Sequence, residues 1–248
     1  MEYRRGEPIS VVIMSSRIIL PALSFTCALL ATPASGTLII TGVFDGPLPN
    51  GDPKGIELFT TAAIPDLSLY AIGTANNGGG TDGVEDVLPS VSLVAGQFYY
   101  LANRADGDFT QWFGFAPDLV STGVNHNGDD GIELFFDATG LFAGGETLID
   151  EFGDANQDGS GTDWDTLDGW AYRNSGVGAN GGSFDANNWT FSGANAWDGD
   201  DNVGGGSDNG TNATSSPPFP AGSYAIPEPS ISLLGGLCLL VFFRRRRG

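Results

Sequence analysis

The chain has 248 residues, a formal net charge of −20 and two cysteines. Between residues 37 and 226 the imbalance is larger, with three basic against 27 acidic residues and a net charge of −24. Such a surface repels nucleic acid, which we exclude as a partner, and it repels anionic polysaccharide unless divalent cations intervene. Cys27 and Cys238 lie in apolar end segments, so we predict no disulfide in the body.

The N-terminal region has the layout of a secretory signal peptide. Arg17 precedes an apolar run over 18–30, and small residues follow over 31–36. A basic start, an apolar centre and a small-residue cleavage region are typical of such signals. We therefore predict that residues 1–36 form a signal peptide with an apolar helix and that the body is exported. Met14 would begin a more ordinary signal than the first methionine does.

The body is predicted to be all-β. Short β-branched or aromatic runs alternate with Gly, Pro, Asn and Asp, and no window shows a helical period. Turn signals at this spacing favour a β-sandwich. The predicted strands are 38–44, 55–60, 67–72, 91–94, 97–102, 131–136, 147–152, 169–173 and 189–191.

One pentapeptide, Gly-Ile-Glu-Leu-Phe, occurs twice, at 55–59 and at 131–135. Because side chains alternate along a strand, the isoleucine and leucine of each copy share one face and the glutamate points to the other. The repeat is too short to indicate a duplication, but it predicts two strands in similar environments. The predicted core residues are Ile56, Leu58, Ile132 and Leu134, and the glutamates on the opposite faces are Glu57 and Glu133.

Catalytic motifs are few. The one histidine, His126, lies in an Asn/Gly turn, where we expect it to be solvated. A zinc site would need it together with carboxylates alone, and no Gly-x-Ser-x-Gly elbow is present. We predict that the protein is not an enzyme. The alternative is a secreted metal-dependent hydrolase, associated with nuclease or phosphatase chemistry, whose site is unrecognised.

One acidic segment has the spacing of a calcium loop. Oxygen-bearing side chains occupy its first, third, fifth and twelfth places, Gly159 occupies the sixth, and a carbonyl is available at the seventh. It departs from the EF-hand because Asp replaces the final Glu, because Gly161 stands where an apolar residue is usual, and because flanking helices are not apparent. Two interpretations stay open: a Ca²⁺ site, or an unliganded turn closed by Asx hydrogen bonds. The candidate ligands are Asp154, Asn156, Asp158, Ser160 and Asp165.

The order of motifs along the body resembles that of lamin-tail-like domains of secreted bacterial proteins. The resemblance implies an immunoglobulin-like β-sandwich over 37–194 that serves as a binding or anchoring accessory. No catalytic partner domain fits in this chain. The segments that carry the resemblance are Lys54–Phe59, Pro65–Tyr70, Leu93–Leu101, Asn127–Leu134, Leu148–Gly153, Gly169–Arg173 and Phe184–Thr190.

Residues 195–222 are rich in Gly, Asp, Asn, Ser and Pro, and we predict a flexible stalk there.

The segment 224–248 has the composition of a membrane anchor rather than of a stalk. It contains a Pro-Glu-Pro, the apolar run 231–243, predicted to be a membrane helix, and four arginines that the positive-inside rule keeps on the cytoplasmic side. This pattern resembles the PEP-CTERM sorting signal of Gram-negative, exopolysaccharide-producing bacteria. The residues that carry it are Pro227, Glu228, Pro229, Arg244, Arg245, Arg246 and Arg247.

The resemblance implies an exosortase-type processing enzyme as a partner and a location in the cell envelope, on the outer surface or in the extracellular matrix. We therefore predict an exported, non-catalytic surface or matrix protein, a binding or display module associated with exopolysaccharide. We predict no cofactor other than Ca²⁺, which is the one candidate ion.

Overall fold

The computed structural model describes residues 37–105 and 107–226, and within them ten strands form two sheets. The larger sheet has the order β10-β9-β1-β2-β5-β6 and the smaller has the order β4-β3-β7-β8. Neighbours are antiparallel except β5 and β6. The strands are β1 (Leu38–Asp45), β2 (Gly55–Thr60), β3 (Tyr70–Ala75), β4 (Asp86–Val87), β5 (Phe98–Ala102), β6 (Leu119–Val120), β7 (Gly131–Phe136), β8 (Thr147–Phe152), β9 (Gly169–Arg173) and β10 (Trp189–Phe191).

The two sheets share an apolar core, consistent with an all-β sandwich. Ile56 and Leu58 of β2 and Ile132 and Leu134 of β7 are all fully buried in it. Both strands lie inside their sheets, so the prediction from the repeated pentapeptide is confirmed. The predicted signal peptide, the apolar C-terminal helix and the sorting residues 227–247 lie outside the described residues.

A buried ion pair connects the sheets. Arg173 of β9 donates to both carboxylate oxygens of Asp150 of β8, at 2.8 and 2.7 Å, and both side chains are fully buried. The same guanidinium donates to the Ile40 carbonyl, and the Ile40 N–H donates to Asp150 at 2.8 Å. The ring of Trp189 lies 4.5 Å from the guanidinium carbon. Each charge is therefore paired and hydrogen-bonded, and the pair links β9 of the larger sheet to β8 of the smaller.

The outer face of the larger sheet is also covered. Helix α1 (Asp108–Phe113) and the segment 195–226 lie against it. The predicted flexible stalk at 195–222 is therefore wrong: Trp197 is fully buried and Phe219 is 2 % exposed. The Gly-rich composition predicted a flexible segment, although a few aromatic residues anchor it to the sheet. The aromatic members of this second cluster are Phe44, Phe59, Phe109, Trp112, Trp170, Tyr172, Trp197, Phe219 and Tyr224.

Three local predictions need correction. The strand expected at 67–72 starts at Tyr70, because Asp66 caps a 3-10 turn by accepting from the Ser68 N–H. The stretch 91–94 makes only an isolated bridge between Leu93 and Ile64. The helix α1 was not expected; it begins after Gly107 and buries Phe109 and Trp112. Within the described part of the chain, no helix is long and apolar enough to cross a bilayer.

Candidate functional site

The last ten described residues, 217–226, form a strap on the outer face of the larger sheet. The ring of Phe219 packs with its centroid 5.2 Å from those of Phe44 and Tyr172 and 6.0 Å from that of Trp170. It lies directly over Gly42 of β1, where an added Cβ would collide with the ring. Glycine at this position therefore lets the strap lie flat against the strand.

Glu57 anchors the strap from below. This carboxylate is fully buried and accepts four hydrogen bonds. Oε1 accepts from the Thr41 hydroxyl at 2.7 Å and the Tyr172 hydroxyl at 2.8 Å. Oε2 accepts from the Tyr100 hydroxyl at 2.9 Å and from the Gly222 N–H at 2.7 Å. Burial raises the pKa of Glu57, and the four donors oppose that rise. The repeat predicted the face of Glu57 correctly but not its burial.

The strap stays bonded to the domain up to its penultimate residue. The N–H groups of Ser223 and Tyr224 both donate to the Tyr172 hydroxyl, at 3.0 and 2.8 Å. Ala225 donates to the Ser175 hydroxyl at 3.2 Å, and its carbonyl accepts from the Gly176 N–H at 2.9 Å. Both backbone polar groups of Ala225 are thus bonded to the domain.

Ala225 is also the first residue of a segment that matches a known family model. Residues 225–247 match the PEP-CTERM protein-sorting motif. The PEP-CTERM motif implies an exported protein that an exosortase sorts to the cell envelope or surface. The folded domain therefore carries the PEP-CTERM segment directly on its docked strap, without a free linker between them. No curated protein and no solved structure matches the chain.

The structure places the five predicted calcium ligands on one loop but does not bring their carboxylates together. The carboxylates of Asp154, Asp158 and Asp165 each accept a backbone N–H within their own turn, at 2.8 to 3.0 Å. Asn156 donates to Asp154, and the Ser160 hydroxyl donates to Asp129 at 2.7 Å. Within the described ranges, no group of three or more His, Cys, Asp or Glu side chains could hold a metal ion. Calcium binding at this loop stays a prediction.

The sequence predicted a solvated His126, but the side chain is fully buried. Its Nε2 lies 3.3 Å from the Gly55 carbonyl oxygen, and its Nδ1 accepts from the Gly128 N–H at 3.4 Å. Burial lowers the pKa of His126 to about 4, so the imidazole is neutral at pH 7. A ring enclosed in this way positions the turn before β7 and cannot reach a substrate.

A polar cluster that the sequence did not indicate lies beside His126. Lys54 is 7 % exposed, and its Nζ lies 3.4 Å from Asp45 Oδ1 and 2.8 Å from Asn127 Oδ1. Burial raises the pKa of Asp45 to about 7, while Lys54 opposes the rise and Asp168 adds to it. Asp45 therefore titrates near neutral pH, and the cluster joins the β1–β2 turn to the turn before β7.

Proposed function

We propose that this protein is an exported, non-catalytic display module that carries its domain to the cell surface or extracellular matrix and binds exopolysaccharide there. The observation that carries the proposal is the docked strap, which joins the folded body to the PEP-CTERM segment at Ala225. A folded domain whose docked strap runs into the sorting motif suits a protein whose task is to place that domain at a location.

The body is proposed to be an immunoglobulin-like sandwich of the lamin-tail-like type. Its two-sheet arrangement supports this, as does the position of the motifs, since Lys54–Phe59 leads into β2 and Asn127–Leu134 leads into β7. Three of its buried ionisable groups have structural partners: Glu57 binds the strap, Asp150 pairs with Arg173, and His126 faces a carbonyl. This use of the buried charges supports a binding role over a hydrolytic one.

The test is co-sedimentation of the full-length chain with exopolysaccharide from its host, in Ca²⁺ and in chelator. We expect binding in Ca²⁺ and loss of binding in chelator, because the acidic body repels an anionic polymer that no cation bridges. A neutral dextran is the control polymer. Equal recovery in the supernatant under all conditions would contradict the proposed ligand.

The hydrolase alternative is checked on the same preparation. Chromogenic phosphate monoesters and diesters are supplied with Ca²⁺, Mg²⁺ or Zn²⁺, and we expect no turnover above buffer. Turnover that disappears in chelator would favour the alternative.

A further inference from the structure

Two glutamates face each other on the outer surface of the smaller sheet. Glu133 of β7 and Glu151 of β8 are paired residues in the antiparallel register. They are 1 % and 5 % exposed, although neither belongs to the apolar core. Like charges placed directly opposite on neighbouring strands repel each other, and removal from water strengthens the repulsion.

Glu133 also has an oxygen without a hydrogen-bond donor. Its Oε2 accepts from the Thr81 hydroxyl at 2.8 Å, whereas its Oε1 is buried and has no donor among the described residues. A buried carboxylate oxygen normally has at least one partner, since leaving it unsatisfied is unfavourable. This oxygen therefore points to a ligand that supplies positive charge.

No basic side chain neutralises the pair. The charged neighbours that act on Glu133 are all acidic: Glu151 from β8, and Asp82 and Glu85 from the segment between β3 and β4. Asp154 and Asp150 act on Glu151. Burial is the largest cause that raises the pKa of each glutamate, and these neighbours add to it.

The basic residues of the body are engaged elsewhere. The three of them lie within the described ranges, and each forms an ion pair with an aspartate outside this pair of glutamates. The pairs are Lys54 with Asp45, Arg104 with Asp52 and Arg173 with Asp150.

We propose that Glu133 and Glu151 together hold a hard divalent cation, Ca²⁺ or Mg²⁺. Glu133 contributes Oε1, and Glu151 contributes Oε2, because its Oε1 already accepts from the Ala155 N–H at 2.9 Å. Two carboxylates with water completing the shell is a usual arrangement for Mg²⁺, and Ca²⁺ accepts it with more oxygens. A site with two carboxylates is compatible with the lack of any three-member ligand group among the described residues.

A cavity lies beside Glu151 and gives water access to the Glu151 side of the pair. It has a volume of about 260 Å³ and is lined by Glu151, Asp154 and Asn156 together with residues 182–184. Polar walls of this size hold several waters. Asp154 and Asn156 line this cavity together with Glu151, whereas the other candidate ligands of the predicted calcium loop do not.

The experiment is thermal unfolding of the full-length chain at pH 7.5 in chelator, in Ca²⁺ and in Mg²⁺. We expect the cation to raise the Tm by at least about 3 °C at saturating concentration. Glu133→Gln removes the charge at nearly constant shape, so it should raise the Tm in chelator and abolish the cation response. Glu151→Gln should also abolish the response. Glu146→Gln, half-buried just before β8 and outside this pair, is the matched control and should retain it.

The remaining outcomes overturn the proposal in distinguishable ways. A response that survives Glu133→Gln but disappears in Asp158→Asn would place the ion in the Asp154–Asp165 loop. An absent response to both cations would show that the pair binds no divalent ion. If lowering the pH then stabilises the wild type but not Glu133→Gln, the two carboxyl groups share a proton instead.

Discussion

Replacing Phe219 by alanine tests whether the strap is an integral part of the fold. The side chain is 2 % exposed and contacts the rings of Phe44, Phe113, Trp170 and Tyr172. Removing a buried phenylalanine lowers the free energy of unfolding by about 3–5 kcal/mol, because apolar contacts are lost and a cavity remains. We expect a loss in this range when urea unfolding is followed by tryptophan fluorescence.

The same variant should expose the strap to proteases. Without the ring, the hydrogen bond between the Gly222 N–H and Glu57 loses its support, and we expect new cleavage within 217–226. Leu141→Ala is the control, since Leu141 is 76 % exposed and its truncation should change the free energy of unfolding by less than about 0.5 kcal/mol. A Phe219→Ala protein as stable and as protease-resistant as the wild type would refute a docked strap.

Four further predictions concern charge and the core. Asp45 has a pKa raised from 3.8 to about 7, so its charged form opposes folding, and the Tm should rise as the pH falls from about 7 towards 4; Asp45→Asn should remove that rise. His126 has a pKa lowered from 6.5 to about 4, so it opposes that rise between about pH 6.5 and 4, and the Tm of Asp45→Asn should fall over this range in the same titration. Arg173→Met leaves Asp150 buried without its partner and should lower the free energy of unfolding by about 3–5 kcal/mol in urea, more than the double change with Asp150→Leu. Leu134→Asp puts a charge into the core and should cost about 3–5 kcal/mol or abolish folding, whereas an unchanged unfolding midpoint would contradict the assignment of its face.

The inter-sheet core could be predicted from the sequence because alternation determines which side of a strand each residue occupies. Gly55–Thr60 and Gly131–Phe136 begin and end where their β-branched and aromatic runs do. The strands at Thr147–Phe152 and Gly169–Arg173 also agree with their predicted bounds. In each case glycine or another turn residue adjoins the run, so local sequence sets the boundary.

The covering of the outer face could not be predicted in the same way, because it depends on contacts between residues far apart in the chain. Glu57 and Gly222 are separated by 165 positions, and the composition around Gly222 indicated a loop. A signal was nevertheless present in β1, where Ile39 and Phe44 lie on the face opposite to Ile40. A strand that is apolar on both faces needs a cover on both.

The burial of His126 was missed for a related reason. Its turn is polar in sequence, yet β2 supplies the Gly55 carbonyl beside the ring. The predicted sorting residues, by contrast, lie in one continuous segment of the sequence. A comparison with family models can therefore detect them without knowledge of the fold.

Sorting by the PEP-CTERM segment is tested most directly by fractionating the native host and measuring the mass of the mature protein. The wild type is compared with a variant in which Arg244 to Arg247 are replaced by serine, so that the charges expected to remain on the cytoplasmic side are lost. We predict that the wild type is found in the envelope or outside the cell with its tail removed, and that the variant is misprocessed and lost from that fraction. The same location and the same mature mass for both proteins would contradict sorting by this segment.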